Sequence, residues 1–430
     1  MKMVCAVLAS MVVGCAGGDD AGNPIDPIDG TLETVAPPDA EPDTSSDDVM
    51  ADDLDVESAP GLTDVDGDID IEPDGDMDVE PDGDGAAAVD GDGDGDGDGA
   101  LEVDDSVDAD SDNEVSPEVG YTWTLVNPTA AFAPRDGAGA VVLAGRMWLL
   151  GGWNPLDPIN FPDVTNAEVW SSVDGFEWTL ELLAAPWEGR HVSGYVSLAG
   201  RMWVIGGDPN RGHYQNDVWS SVDGKVWERA TERVPWENRV LFHTVMKDGA
   251  VFVMGGQTLP QFAPEVAATL FYNDVWRSED GASWTRITEN AGWSARGMIG
   301  GQAVLNGRMW LLGGGTYDTP EVPAREFNND VWSSADGVTW RQDLAEAPWE
   351  PRQFHDVAAW DGKLWVIAGY HVGNLADVWY SADGQTWLEL PNTPWAARHA
   401  SSIFVHQDAL WVVTGNNMTS DVWKLTRSAP

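Results

Sequence analysis

An all-β fold, a six-bladed β-propeller of four-stranded antiparallel blades preceded by a disordered acidic linker, is what this sequence predicts. Three observations predict it. A unit of about 50 residues recurs six times after Gly120, a length typical of propeller arrays. All 24 tryptophans lie between Trp123 and Trp423, so the aromatic mass available for a core sits in that part alone. Within each unit, short apolar and β-branched runs alternate with Gly-containing turns, which reads as hairpin-connected strands and excludes a helical solenoid.

Charge divides the chain at the same place. The first 120 residues carry 38 of the 73 acidic residues and one of the 22 basic ones, Lys2; the remainder holds 35 against 21, a net charge of −14 out of −51. Three segments follow: 1–14 as a signal peptide, 15–118 as a linker and 119–430 as the propeller. A folded unit of that size buries roughly three quarters of its unfolded surface and needs no covalent staple. None is available, because Cys5 and Cys15 both precede it. Negative charge in both parts disfavours attachment to nucleic acid or to anionic lipid.

At the N-terminus, Met1-Lys2 is followed by an apolar run, Met3 to Val13, broken only by Ser10. That is too short to span a bilayer and suits the core of a secretory signal. The run ends in Val12-Val13-Gly14-Cys15, which resembles the lipobox of bacterial lipoproteins. The resemblance implies cleavage before Cys15, lipidation of its thiol, and an exported protein held at the bacterial outer membrane or cell surface by lipid alone. More than one acyl chain makes such anchoring stable.

From Ala16 to Glu118 the chain is rich in Asp, Gly, Pro and Glu and nearly free of aromatic residues. It cannot bury enough apolar surface to offset the entropy of ordering, so a solvated, self-repelling stalk is expected. Gly-rich coil statistics give a linker of ~100 residues a span on the order of 55 Å. Asp94, Asp96, Asp98 and Asp105 fall at positions 1, 3, 5 and 12 of a calcium-loop spacing. The last ligand is Asp where a bidentate Glu is usual, and repeated Asp-Gly also generates the spacing, so loose cation condensation competes with a specific calcium site. No other cofactor is expected.

Each propeller unit opens on an aromatic-x-x-Arg step: Phe132/Arg135, Trp187/Arg190, Trp236/Arg239, Trp293/Arg296, Trp349/Arg352 and Trp395/Arg398. A small or apolar run, a tight turn and an apolar strand ending in Gly-Gly follow; the fifth and sixth units end instead in Ala368-Gly369 and Thr414-Gly415. After a variable loop comes Val-Trp, at Trp170, Trp219, Trp276, Trp332, Trp379 and Trp423, and then an Asp-Gly turn leads to a second Trp in five units. The period, the Gly-Gly and the spaced Trp pair resemble kelch repeats over residues 121–430. The pattern differs from the usual kelch one in favouring Trp where Tyr is common, and in lacking a His after most of the Arg residues.

The sixth unit stops after Trp423-Lys424-Leu425 without its last strand, and Tyr121-Thr122-Trp123-Thr124-Leu125 matches Phe176-Glu177-Trp178-Thr179-Leu180. The N-terminal strand is therefore expected to complete the last blade, leaving no open edge at the seam. Ser334 to Trp340 resembles the Asp-box of sialidase-type propellers, one residue shorter, but an Asp-box is a turn device in which the Asp caps its own backbone. It implies no sialidase activity.

In a four-stranded meander the second-to-third loops and the blade-to-blade connections share one end of the ring. All the long loops fall there, together with the aromatic-x-x-Arg steps, so this face is the candidate binding surface. Two readings of the Arg ring stand side by side. Each guanidinium stacks on its neighbouring aromatic residue and bonds carbonyls between blades, or some of Arg135, Arg190, Arg239, Arg296, Arg352 and Arg398 face the central funnel and clamp a ligand. The kelch resemblance raises the second reading. Trp153, Tyr214, Tyr272, Tyr317 and Tyr370 are expected as exposed loop aromatics offering flat contact area to a peptide or sugar ring.

No catalytic constellation is recognisable. Copper-radical oxidases resembling galactose oxidase share the kelch fold, but their chemistry needs a Cys cross-linked to a copper-ligating Tyr, and residues 119–430 contain no Cys. His191, His213, His243, His355, His371, His399 and His406 show no metal-ligand spacing, and neither a Gly-x-Ser-x-Gly elbow nor a phosphate-binding loop is present. The expected function is a monomeric surface binding module for an extracellular protein or peptide, with a carbohydrate-binding propeller as the alternative and a glycan-acting enzyme behind it.

Overall fold

A computed structural model of the protein describes residues 120–157, 163–297, 303–317 and 326–428. The expected signal peptide, Cys15, the acidic linker and the calcium-loop residues Asp94, Asp96, Asp98 and Asp105 lie outside the described residues.

Six four-stranded antiparallel sheets form the propeller, and no helix occurs among the described residues. The innermost strands are Gly139–Leu143, Gly194–Leu198, His243–Lys247, Val304–Leu305, Asp356–Trp360 and Ser402–His406, one from each of blades 1 to 6. In blades 1 to 5 the four strands run outward in chain order; blade 3 adds a short hairpin, Gln257–Thr258 with Leu270–Phe271. Blade 6 takes its outermost strand from the start of the ring. Tyr121–Asn127 pairs antiparallel with Val422–Arg427, with Tyr121 opposite Arg427, Trp123 opposite Leu425 and Leu125 opposite Trp423. The expected closure is thus made, and Trp123 stands where the other blades carry their second Trp.

The core is divided into wedges, each filled by two neighbouring blades. Val196, Trp203 and Ile205 of blade 2 meet Val251 and Val253 of blade 3, and the sixth wedge joins Phe404, Trp411 and Val413 to Met147 and Leu149 across the seam. A buried Trp removes on the order of 150–250 Å² from water, worth about 4–6 kcal/mol at ~25 cal/mol per Å² as an upper bound. The strand-end tryptophan of each unit also packs edge-on against the aromatic residue that opens it: Trp178 on Phe132, Trp227 on Trp187, Trp284 on Trp236, Trp340 on Trp293, Trp387 on Trp349 and Trp123 on Trp395. Trp usage follows from this, since every unit needs both partners.

The turns hold one end of the ring tight. In blade 4, Asp336 Oδ1 accepts the amides of Val338 and Thr339 at 2.8 Å, and Ser334 Oγ accepts that of Gly337. Blades 1, 2, 3 and 5 repeat the device with Asp174, Asp223, Asp280 and Asp383. The Asp thus caps its own backbone, as expected of an Asp-box-like turn. These bonds carry Asp280 down to about 2, the Ser283 amide contributing most.

The Gly-Gly step shows why its two positions tolerate different substitutions. The first residue has φ between 53° and 67°, the left-handed region that other residues can occupy, and Ala368 and Thr414 do so in blades 5 and 6. The second has φ between 91° and 132° and is Gly in all six blades. A Cβ on Gly369 would lie 2.7 Å from the Cβ of His355, so strain and collision together keep that position Gly.

Candidate functional site

The site is built outward from the Arg ring, and the structure places all six guanidinium groups inside the blades. Arg135, Arg190, Arg239, Arg296, Arg352 and Arg398 are buried, and each donates to the carbonyl of the first residue of its blade's Gly-Gly step or of its Ala-Gly or Thr-Gly counterpart. Each also pairs with the carboxylate that precedes Val-Trp: Glu168, Asp217, Asp274, Asp330, Asp377 and Asp421, at 2.5–2.8 Å. The same carboxylate accepts the indole N–H of the following Trp at 2.7–2.8 Å. Arg135, Arg190, Arg352 and Arg398 lie over the opening aromatic of their own unit, while Arg239 lies 4.0 Å from the ring centre of Tyr272. This is the geometry of a scaffold. Burial pushes Asp217, Asp377 and Asp421 upward, but Arg190, Arg352 and Arg398 hold them below the usual carboxylate range.

The Arg backbone ties neighbouring blades together as well. Gly152, Gly256, Gly314, Gly369 and Gly415 donate to the carbonyls of Arg190, Arg296, Arg352, Arg398 and Arg135 in the next blade round. Two residues after the Arg, the chain turns left-handed at Gly137, Val192, Leu241, Phe354 and Ala400. Their amides pass hydrogen bonds around the axis, from Val192 to Gly137, Gly137 to Ala400, and Ala400 to Phe354. A β-branched residue at φ 47°, as at Val192, persists only where its surroundings over-determine it. This girdle narrows the loop end of an axial channel of about 440 Å³, lined by Ala140, Tyr195, Thr244, Val357 and Ile403 with Asp356 and Ser401.

Several buried ionisable groups stand behind the girdle. Burial pushes the Asp136 carboxyl up to about 7, against the opposing hydrogen bond from Asn416, and raises Asp208 to about 6. Asp356 is raised well above the usual range by burial while accepting the Ser401 amide at 3.1 Å. Burial lowers His191 to about 4, and burial with the Arg352 charge lowers His355 to about 3. His355 is therefore neutral at ordinary pH, and its Nε2 donates to the Leu312 carbonyl at 2.8 Å. No cluster of His, Cys, Asp and Glu able to hold a metal ion occurs among the described residues.

On the loop-rich face, aromatic residues from successive blades meet. Phe262 of the blade 3 loop stands edge-on to Tyr317 of the blade 4 loop at 5.4 Å. Phe327 lies 4.6 Å from His371 and 6.3 Å from Tyr370. Tyr370 contacts His399, and His399 stacks on Phe354 at the channel mouth, 5.2 Å away. Phe262 is exposed and the other six rings are half-buried, so the arc, made of one pair (Phe262 and Tyr317) and one group of five (Phe327 to His399), presents ring surface to solvent on a rigid support.

The five aromatics expected on this face therefore separate. Tyr317 and Tyr370 join the arc. Trp153 is half-buried on the opposite side of the mouth, its ring 6.4 Å from that of His191. Tyr272 gives its ring to Arg239. Tyr214 corrects the expectation of an exposed ring: it is 2 % exposed, packed with Val240 and Ala263, because the Leu259–Val266 stretch of the blade 3 loop folds over it. Phe262, Phe327 and Phe354 are not singled out by the sequence, and His371 and His399 are weighed there only for metal-ligand spacing. Phe354 alone had a positional signal, an aromatic where the equivalent residues are Gly137, Val192, Leu241 and Ala400.

Comparison with known families and with curated proteins finds no family model and no curated relative that matches this chain.

Proposed function

We propose that this protein is a kelch-like propeller carried on an exported, lipid-anchored chain at a bacterial surface, and that it binds an extracellular protein or peptide through the loop-rich face. The observation that carries the reading is the aromatic arc from Phe262 to Phe354. Half-exposed rings held on a stiff frame give large contact area at little entropic cost, as recognition surfaces do. The Arg ring supplies the frame, since each of its guanidinium groups is paired with a carboxylate of its own blade. The lipobox-like Val12-Val13-Gly14-Cys15 supports export and anchoring.

The test is capture of the full-length chain on a random-peptide array and a glycan array, with Tyr370→Ala beside the wild type. Peptide capture that Tyr370→Ala weakens tenfold or more, at unchanged melting temperature, supports the proposal. Saturable capture by one sugar class, with silence on the peptides, replaces it with the carbohydrate-binding alternative.

A further inference from the structure

The charge around the aromatic arc identifies the kind of partner, an inference that rests on the binding role proposed above. Once the six arginines are set against their six carboxylates, what the loop end shows to solvent is acidic. Glu265 follows Phe262 in the blade 3 loop, Glu326 precedes Phe327, and Glu350 lies 3.4 Å from His371; all three are exposed. Glu188 and Glu237 add to the same end from the blade connections. Among the described residues basic ones are scarce there; Arg325, which adjoins Glu326 in the sequence, lies outside them. Among the described residues of the second-to-third loops, Arg211 is the only one, and it is tied to Asp163 and Glu188. On the connection from blade 2 to blade 3, Arg233 follows Glu232. The lysines lie elsewhere: Lys225, Lys247 and Lys363 in or beside the tight turns of the opposite end, and Lys424 in mid-blade over Trp411.

A face of half-exposed rings flanked by carboxylates complements an extended chain with both apolar and cationic side chains. Rings receive the aliphatic stems and the cation faces, and the carboxylates set orientation and speed encounter. An acidic segment meets repulsion at the same carboxylates. We infer that the loop-rich face receives a Lys- or Arg-rich polypeptide segment of another protein, laid across Phe262, Tyr317, Phe327 and Tyr370 with its charges toward Glu265, Glu326 and Glu350. Composition puts the source outside this chain's leading region, where Lys2 is the only basic residue among the first 119.

The experiment selects binders to the full-length chain from a random-peptide library covering net charges from negative to positive, at physiological salt. Each selected peptide is then titrated against wild type, Tyr370→Ala and Glu326→Gln/Glu350→Gln. The last pair replaces exposed carboxylates with near-isosteric amides, and circular dichroism confirms the fold of each variant. The expected result is cationic peptides whose affinity falls tenfold or more in Tyr370→Ala and about three- to tenfold in the double variant, the latter loss shrinking at high salt. Neutral or acidic peptides that are lost in Tyr370→Ala would overturn the cationic assignment while leaving the face as the binding surface. Cationic peptides insensitive to both variants would be held by the polyanionic residues outside the ring, and would overturn this inference and the proposed face together.

Discussion

The two ends of the ring are built by opposite rules. At the tight-turn end, the Ser-x-Asp-Gly turn recurs in five blades with the same acceptors and the same bond lengths to within a few tenths of an ångström. At the loop end, the segment between the second and third strands varies from residues 371–373 alone in blade 5 to a stretch with an added hairpin in blade 3. Both ends hang on one six-fold scaffold, the Arg–carboxylate–Trp unit inside each blade. The difference teaches that the repeat is a statement about folding. Whatever distinguishes this propeller's role lies where the repeat fails.

That comparison can be broken most forcefully at the scaffold. Arg352→Ala empties a fully buried side-chain site, leaves the Ala368 carbonyl without its donor and leaves the half-buried Asp377 without its cation. A loss on the order of 3–5 kcal/mol is expected, read as a lowered midpoint of denaturant unfolding; a loss below 1 kcal/mol would mean the ring is ornamental. The next effect separates two adjacent positions. Gly369→Ala places a Cβ 2.7 Å from His355 at φ 116° and is expected to cost about 2–3 kcal/mol, whereas Ala368→Gly relieves a left-handed alanine and changes stability by less than about 1 kcal/mol. Equal costs at both would refute the account of the Gly-Gly step.

The smallest expected effect depends on pH. Asp136 has its folded-state pKa raised from 3.8 to about 7, so the folded chain binds the extra proton between those values. Stability contributed by this group is present at low pH and is lost as pH rises from about 4 to 7. Asp136→Asn keeps an acceptor for Asn416 Nδ2 and removes the ionisation. The variant should gain on the wild type by at least about 1 kcal/mol between pH 5 and pH 8, less than one unit's worth of the shift. A stability gap independent of pH in paired thermal melts would count against it.

How much of this was legible follows from where the information sits. The blade number and the seam were readable because each is a match at fixed offset: Tyr121–Leu125 repeats Phe176–Leu180, and its partner strand lacks a successor. The carboxylate of the scaffold is legible on the same grounds, since Glu-Val-Trp occurs once and Asp-Val-Trp five times. The arc was not readable. Phe262 and Tyr317 meet because loops of different blades lean together, and no spacing in the chain encodes that. Tyr214 was misplaced for the same reason, its cover coming from the next blade's loop.

One consequence of the closure concerns order along the chain. Ser428 donates its amide to the Gly120 carbonyl at 2.8 Å, so the first and last described residues of the ring are hydrogen-bonded neighbours. Topologically the propeller is a loop of chain with a nick in it, and the nick falls between the third and fourth strands of one blade for no reason that packing supplies. A circular permutant joined near Gly120 and Ser428 and opened at the exposed Asn306-Gly307 turn would keep every strand pairing described above. Its refolding would show whether blade 6 must be last.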